Sequence, residues 1–324
     1  MSDLQISRDA LLNEYKGNLF EFLVCIEIAS KFDLLNNFYH DLNPSAQKML
    51  EQQESFLRNY YPYLLIELPK LAHQSVQSLL DHINIESIQN VSMIGKSMSS
   101  HKLENFSEED IVIKTSDRDL RVSLKMAKSG SFVNSKSAGL RSFFTKYFSD
   151  FDSNHLQNDF NEFCKREFEL TSYELHREVG LEYSGDYKLW EDNHYPVLPG
   201  KLEHNLKEIL YIFYEKVNDF LFDSINHFFQ SEPIVLARML NRLKGYSSDD
   251  LIQLTAFYKL KDDKFVDCHF LTQTLEASDP IVKIVKKSKV VDIYFQHSIL
   301  QIRVKPMNKF TSKSFKINCA VKYF

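Results

Sequence analysis

The chain has 324 residues, 44% of them hydrophobic and 26% charged, with a formal net charge of −5; this is typical of a globular protein of one or two domains and excludes a disordered or low-complexity chain. No apolar run is long enough to span a bilayer, and no basic region followed by an apolar core opens the chain, so we expect a cytoplasmic protein with no membrane partner. The four cysteines are far apart and form no CxxC pair, which excludes a disulfide framework or a zinc ribbon and fits a reducing compartment.

The N-terminal part of the chain is predicted to be helical. Apolar residues at intervals of three and four predict one helix over residues 8–36. Further helices are expected at 45–61 and at 64–83, and Pro69 is expected to kink or interrupt the latter. Residues 86–95 are compatible with a short strand.

A β-hairpin is predicted next. Residues 111–113 are β-branched, residues 116–119 form a turn-forming cluster, and residues 120–125 alternate between apolar and polar. A helix around 138–149 is expected to follow.

The second half of the chain changes from helix to strand at Gly245. Residues 151–245 are predicted to be mostly helical, with interruptions near Gly185 and at 196–200. After Gly245, strands are predicted near 252–260, 265–274, 281–287, 290–296, 298–305 and 314–323. We therefore expect an α+β fold with three parts: a catalytic core (1–150), a helical region packed on it (151–245) and a β-rich C-terminal module (246–324).

Positive charge is concentrated in two segments. Residues 114–146 carry eight basic and two acidic residues, and residues 281–324 carry ten basic residues and one acidic residue. The rest of the chain is strongly acidic, with 21 basic and 41 acidic residues. Such asymmetry indicates surfaces that bind a polyanion. Solvated lysines on strands, which also prevent edge aggregation, are the alternative.

The predicted hairpin brings three functional groups together. If the turn is centred between Asp117 and Arg118, Lys125 lies opposite Asp110, and Ser123 lies on the same face of the sheet. A carboxylate that holds Mg²⁺ and an ammonium beside it are the groups needed to hydrolyse a phosphodiester. A cross-strand ion pair without catalytic function is the simpler alternative.

A second carboxylate is expected from the first helix. Glu21 lies in its most apolar part, which is an unusual place for a charged side chain. It follows Gly17 by one helical turn, and the glycine would allow another backbone to approach closely. Glu21 and Asp110 are thus the candidate ligands of Mg²⁺.

The order Gly17-x-x-x-Glu21, Asp110-Ile-Val-Ile, Ser123-Leu124-Lys125 resembles the PD-(D/E)xK superfamily of restriction-endonuclease-like nucleases. The resemblance covers roughly residues 10–145. It implies a mixed sheet flanked by helices, a Mg²⁺ cofactor, double-stranded DNA as substrate, and Glu21, Asp110, Ser123 and Lys125 as the catalytic residues. The chain departs from the pattern at Ser123, where a carboxylate is usual, and at Glu109, where the motif has proline.

A site-specific restriction endonuclease, acting as a homodimer that cuts both strands, is the leading hypothesis. The alternatives are a nucleic-acid-binding or protein-interaction module whose nuclease site has decayed, and a nuclease for RNA or for damaged or branched DNA. Basic and amide side chains that suit phosphates and base edges are the expected DNA contacts: Lys128, Lys136, Arg141, Arg303, Lys305, Asn308, Lys309 and Lys313. A solvated turn is the alternative interpretation of residues 303–313.

Overall fold

The computed structural model describes residues 3–83, 87–94, 109–244, 251–274, 279–306, 309–312 and 315–323. In these residues the protein is a mixed α/β structure with helices and two five-stranded sheets. Among the helices of these ranges, none combines the length and the apolar character needed to cross a membrane.

The helices confirm most of the expected helical segments. They are α1 (Asp3–Lys31), α2 (Leu35–Asp41), α3 (Pro44–Tyr60), α4 (Leu64–Ile83), α5 (Phe143–Tyr147), α6 (Ser153–Glu178), α7 (Lys188–Asp192), α8 (His204–Ser231) and α9 (Pro233–Leu243), with 3-10 turns at Leu140–Ser142 and Pro199–Lys201. The expected helix over 8–36 was too long. It ends at Lys31 because Asp33 adopts a left-handed φ of 58°, and the backbone N–H of Leu34 closes the end by donating to the carbonyl of Ala29.

Helix α4 continues through Pro69 without a break, so Pro69 does not interrupt it, which was one of its two expected effects. Proline removes one backbone donor from the helix. The buried stripe of α4, which includes Leu68, Leu71, Val76 and Leu79, belongs to the same hydrophobic core as α1. Burial of four such side chains contributes on the order of several kcal/mol, enough to offset one missing hydrogen bond.

The strands are β1 (Asn90–Met93), β2 (Ile111–Lys114), β3 (Asp119–Lys128), β4 (Val133–Gly139), β5 (Leu251–Lys261), β6 (Lys264–Thr274), β7 (Ile281–Lys287), β8 (Val290–Phe295), β9 (Ser298–Pro306) and β10 (Phe315–Tyr323). The six strands expected after Gly245 are confirmed. The helix expected at 138–149 was wrong at its start, because β4 extends to Gly139 and α5 begins only at Phe143.

The chain divides into two compact units, and each unit is built from two segments. Unit 1 comprises Met1–Val133 and Ser247–Leu275, and unit 2 comprises Asn134–Tyr246 and Glu276–Phe324. The chain passes between the units beside the expected boundary at 245, but no unit boundary lies at 150, and residues 246–324 are divided between the two units. The reason is that β5 and β6 extend the sheet of unit 1, whereas the later strands form a separate sheet.

Unit 1 contains the sheet β1-β2-β3-β5-β6. Neighbouring strands are antiparallel except β3 and β5, which are parallel. One face of this sheet, including Ile113, Val122 and Leu254, shares a hydrophobic core with Val24 of α1 and Leu71 of α4. The opposite face therefore carries the alternate residues of each strand.

Unit 2 contains the sheet β4-β10-β9-β8-β7. Its buried face, including Val291, Ile302 and Ile317, shares a core with Phe168 of α6 and Phe213 of α8. The strands β7 to β10 are paired antiparallel.

Candidate active site

The β2–β3 hairpin positions the candidate catalytic residues in a register two residues away from the expected one. Ile111 pairs with Val122, so the next step of the ladder brings Asp110 beside Ser123 rather than beside Lys125. The turn causes the difference. Thr115 closes it by donating from its backbone and its hydroxyl to the carbonyl of Arg118, at 3.0 and 2.8 Å. A shift of two residues leaves every side chain on its original face.

The carboxylate of Asp110 is the centre of the cluster. Its Oδ2 accepts hydrogen bonds from the backbone N–H of Leu124 at 2.6 Å, from the hydroxyl of Ser123 at 3.3 Å and from the ammonium of Lys125 at 3.3 Å. The side chains of Asp110 and Lys125 are 20% and 29% exposed, so solvent or a ligand can reach them. No described residue donates a hydrogen bond to Oδ1, which leaves one oxygen for a ligand.

Glu21 and Asp110 both influence the thiol of Cys25. The thiol of Cys25, one helical turn after Glu21 on α1, is completely buried. Burial raises the pKa of this thiol well above its usual range, and the negative charges of Glu21 and Asp110 raise it further. Both carboxylates therefore lie within electrostatic range of the same sulfur atom.

The expected role of Gly17 was wrong. A side chain carbon added at Gly17 would meet no described atom within 4 Å, so no backbone approaches it closely.

The oxygen donors of the cluster indicate which metal ion the site would hold. No group of three or more histidine, cysteine, aspartate or glutamate side chains that could hold a metal occurs among the described residues. Asp110 is the acidic oxygen donor of this cluster, and Glu21 of α1 is the second carboxylate that the sequence predicted. Such a set fits Mg²⁺, which takes hard oxygen ligands and keeps several waters, better than it fits Zn²⁺.

A row of polar side chains extends the site across the sheet, and sequence reasoning missed it. Ser123 pairs with Gln253 of β5, Gln253 pairs with Gln273 of β6, and Lys125 pairs with Thr255. Paired residues share a face, so these side chains lie on the same face as Ser123 and Lys125.

Gln253 and Thr255 are buried, and the amide nitrogen of Gln253 donates to the hydroxyl of Thr255 at 3.3 Å. The amide nitrogen of Gln273 is buried without a partner among the described residues. The signal in the sequence was the pair of polar residues inside the apolar run 251–258. Their partner strand lies more than 120 residues earlier, which no local pattern reveals.

The expected DNA contacts are distributed over both units. Lys128 is exposed at the end of β3 in unit 1, and Arg141 is exposed in unit 2. Lys136 is half-buried in β4, where burial and the neighbouring charge of Lys146 lower its pKa to about 8. A half-buried, weakly basic lysine is a poorer phosphate contact than the sequence suggested.

The C-terminal basic segment is only partly available as a contact surface. Arg303 and Lys305 are exposed on β9. Lys309 instead forms an ion pair with Glu191 at 2.5 Å, and this hydrogen bond lowers the pKa of Glu191. Phe310 is fully buried, with its ring 5.9 Å from that of Trp190. Asn308 and Lys313 lie outside the described residues.

No family model, no curated protein and no solved structure matches the chain.

Proposed function

We propose that the protein is a Mg²⁺-dependent endonuclease that hydrolyses the phosphodiester bonds of DNA. The observation that carries the proposal is the Asp110 carboxylate, whose Oδ2 binds Lys125 and the backbone while Oδ1 has no described partner. Glu21, whose negative charge raises the pKa of the same Cys25 thiol as that of Asp110, is the proposed second carboxylate.

Each residue of the site has its own proposed role in hydrolysis. Asp110 and Glu21 would hold Mg²⁺, which lowers the pKa of a bound water and offsets the charge that develops on the phosphate. Lys125 orients the attacking water or stabilises the negative charge of the scissile phosphate. The hydroxyl of Ser123, where the resembling family has a carboxylate, hydrogen-bonds Asp110 and positions it.

This arrangement supports membership of the PD-(D/E)xK nucleases, and within them a restriction endonuclease that cuts a short site in double-stranded DNA. The supporting observation is that the sheet of unit 1 is mixed and has helices on one face. A homodimer would place two such sites on the two strands of one duplex.

The test is cleavage of a long unmethylated duplex with and without Mg²⁺, by the wild type and by Asp110→Asn and Lys125→Ala. The matched controls are Asp119→Asn and Lys114→Ala, because Asp119 and Lys114 are an opposed, exposed pair in the same hairpin. We expect discrete Mg²⁺-dependent fragments from the wild type and both controls, and intact DNA from the two site variants. Cleavage by Asp110→Asn or Lys125→Ala at the wild-type rate would refute the site.

The second candidate function is a nucleic-acid-binding module whose catalytic site has decayed. Two observations favour it: Ser123 replaces the usual carboxylate, and no three-acid cluster occurs among the described residues. Mg²⁺-independent DNA binding by the wild type, with no cleavage of DNA or RNA at any metal concentration, would establish this alternative.

A further inference from the structure

The sheet of unit 2 has a second face that carries polar side chains. On β9, the buried residues Leu300, Ile302 and Val304 alternate with Arg303 and Lys305, which are exposed. The buried residues belong to the core that the sheet shares with α6 and α8. Arg303 and Lys305 therefore point away from those helices.

Like charges face each other on this surface. Lys305 of β9 pairs directly with Lys316 of β10, and Arg303 pairs with Asn318. Directly opposed residues have their Cβ atoms about 5 Å apart, and like charges in that position destabilise a sheet. Arg303 lies two residues from Lys305 on the same strand, so three cations share one small area.

Neighbouring acids do not neutralise these cations. Arg303, Lys305 and Lys316 form no ion pair with any residue that the structure describes. Asp292 is the single acidic residue in β7 to β10. Its carboxylate is already bound by Lys287 at 2.5 Å and by the amide of Gln301 at 3.0 Å.

An unsatisfied polar group lies beside the cations. Asn318, opposite Arg303, is 8% exposed, and its Oδ1 has no hydrogen-bond partner among the described residues. A buried acceptor without a donor costs free energy. A ligand with repeated anionic groups would satisfy the cations.

We propose that this face, centred on Arg303, Lys305 and Lys316, binds the phosphate backbone of a nucleic acid. Nucleic acids present regularly repeated phosphates, which match the group of cations on this face. The choice of nucleic acid among polyanions rests on the proposed function. The proposal shifts the expected contact surface from the loop after β9 to the sheet itself, because Lys309 of that loop is paired with Glu191.

The test compares two triple variants of the full chain, in EDTA so that no cleavage interferes. The first variant removes the three cations of the proposed surface: Arg303→Gln/Lys305→Gln/Lys316→Gln. The control variant removes three exposed cations from α6 and α7 of the same unit: Lys165→Gln/Arg177→Gln/Lys188→Gln. The probe is a fluorescent duplex of random sequence, with binding measured over a range of salt concentrations. Each lost phosphate contact reduces the slope of log Kobs against log[salt] by about 0.9, so a reduction approaching 3 is expected for the first variant.

The control triple should keep a slope closer to that of the wild type. An equal reduction of the salt slope in both triple variants would show that only net charge matters, and it would overturn the proposal. An unchanged salt slope in the first triple variant would overturn it as well. Weaker binding of the first triple to vesicles of anionic lipid, with DNA binding unchanged, would assign the surface to a membrane instead and also overturn it.

Folding of the first triple is checked independently by its thermal midpoint. Removal of like charges that face each other should leave this midpoint unchanged or raise it at low salt. A lower midpoint would show that these cations stabilise the sheet, which contradicts the proposal.

The outcomes also separate this inference from the proposed function. If the first triple loses DNA affinity while Asp110→Asn keeps it without cleaving, both proposals stand. If the wild type cleaves DNA and the first triple binds it normally, only the surface is wrong. Wild-type protein that neither binds nor cleaves DNA would exclude both.

Discussion

The Oδ2 atom of Asp110 lies 2.6 Å from the backbone nitrogen of Leu124, closer than it lies to the ammonium of Lys125, at 3.3 Å. The carboxylate is therefore oriented by the backbone of β3, and the lysine is an additional partner. A charge-assisted hydrogen bond from a backbone N–H is strong enough to hold a side chain in place without an ion pair.

Lys125→Ala should for this reason lose activity without losing the metal site. We expect Mn²⁺ binding, measured by calorimetry, to stay within about threefold of the wild type, because Asp110 keeps its backbone partner. Cleavage should fall by roughly 10²-fold or more, since the lysine stabilises charge in the transition state. The free energy of unfolding should change by less than about 1 kcal/mol, as for a partly exposed ion pair. Loss of Mn²⁺ binding in Lys125→Ala would show instead that the lysine organises the carboxylate.

Ser123→Asp should restore the carboxylate that the resembling family has at this position. Ser123 is buried beside Asp110, so a second negative charge there is repelled by Asp110 in the absence of metal. We expect a lower thermal midpoint in EDTA and about tenfold tighter Mn²⁺ binding, which corresponds to about 1.4 kcal/mol. Ser116→Asp, in the exposed turn of the same hairpin, is the control and should show neither effect. Unchanged Mn²⁺ affinity in Ser123→Asp would place the metal elsewhere.

Unit 2 should lose stability as the pH falls through the range in which histidine titrates. The Nδ1 of His176 hydrogen-bonds the carbonyl of Ser172 at 2.7 Å, and its Nε2 is buried without a partner among the described residues. Burial lowers the pKa of His176 below its usual 6.5. As the pH falls, the unfolded chain therefore binds the proton before the folded chain does. The free energy of unfolding is highest above about pH 6.5, and it decreases as the pH falls toward the lower pKa of the folded state.

The measurement is urea unfolding between pH 5 and 8, followed by the fluorescence of Trp190. This residue is the single tryptophan of the chain, and its ring centroid lies 5.4 Å from that of His176. His176→Asn should be less stable at pH 8 but should show a flatter pH dependence than the wild type. The same steep dependence in the variant would mean that another group titrates.

Lys244 should be one of the most sensitive positions in unit 2. Its side chain is 6% exposed, and its ammonium lies 2.6 Å from Asp279 and 4.0 Å from the centre of the Phe295 ring. Lys244→Met leaves the largely buried Asp279 carboxylate without its cation, which typically costs about 3–5 kcal/mol. We expect this loss in urea unfolding, and a smaller loss in Lys244→Met/Asp279→Leu. If the double variant is as unstable as the single, the ion pair is not the source of the effect.

The sequence predicted the faces of the hairpin better than its register. Because the side chains of a strand alternate with a period of two, an error of two residues kept Asp110, Ser123 and Lys125 together. An error of one would have separated them. The local hydrogen bonds of Thr115, which fix the turn, were not visible in a pattern of turn-forming residues alone.

Long-range pairing was the part that the sequence did not reveal. Strand β4 has a polar, small-residue sequence that did not indicate a strand, and its partner β10 lies far away in the chain. The parallel pairing of β3 with β5, which brings Gln253 beside Ser123, spans more than 120 residues. Such contacts depend on the packing of whole layers, so local periodicity carries little information about them.

The division of both units into two segments has a consequence for synthesis of the protein on the ribosome. When β3 emerges, its neighbour β5 has not been made, and the whole first segment of unit 2 is synthesised before that neighbour appears. The sheet of unit 2 likewise cannot form until β7 to β10 have been synthesised. Neither unit can be completed in the order in which its residues leave the ribosome. The edge of β3, which includes Ser123 and Lys125, therefore stays unpaired on that side until β5 emerges. Chaperone binding to nascent chains should therefore persist until β5 and β6 have emerged, well after the first 133 residues.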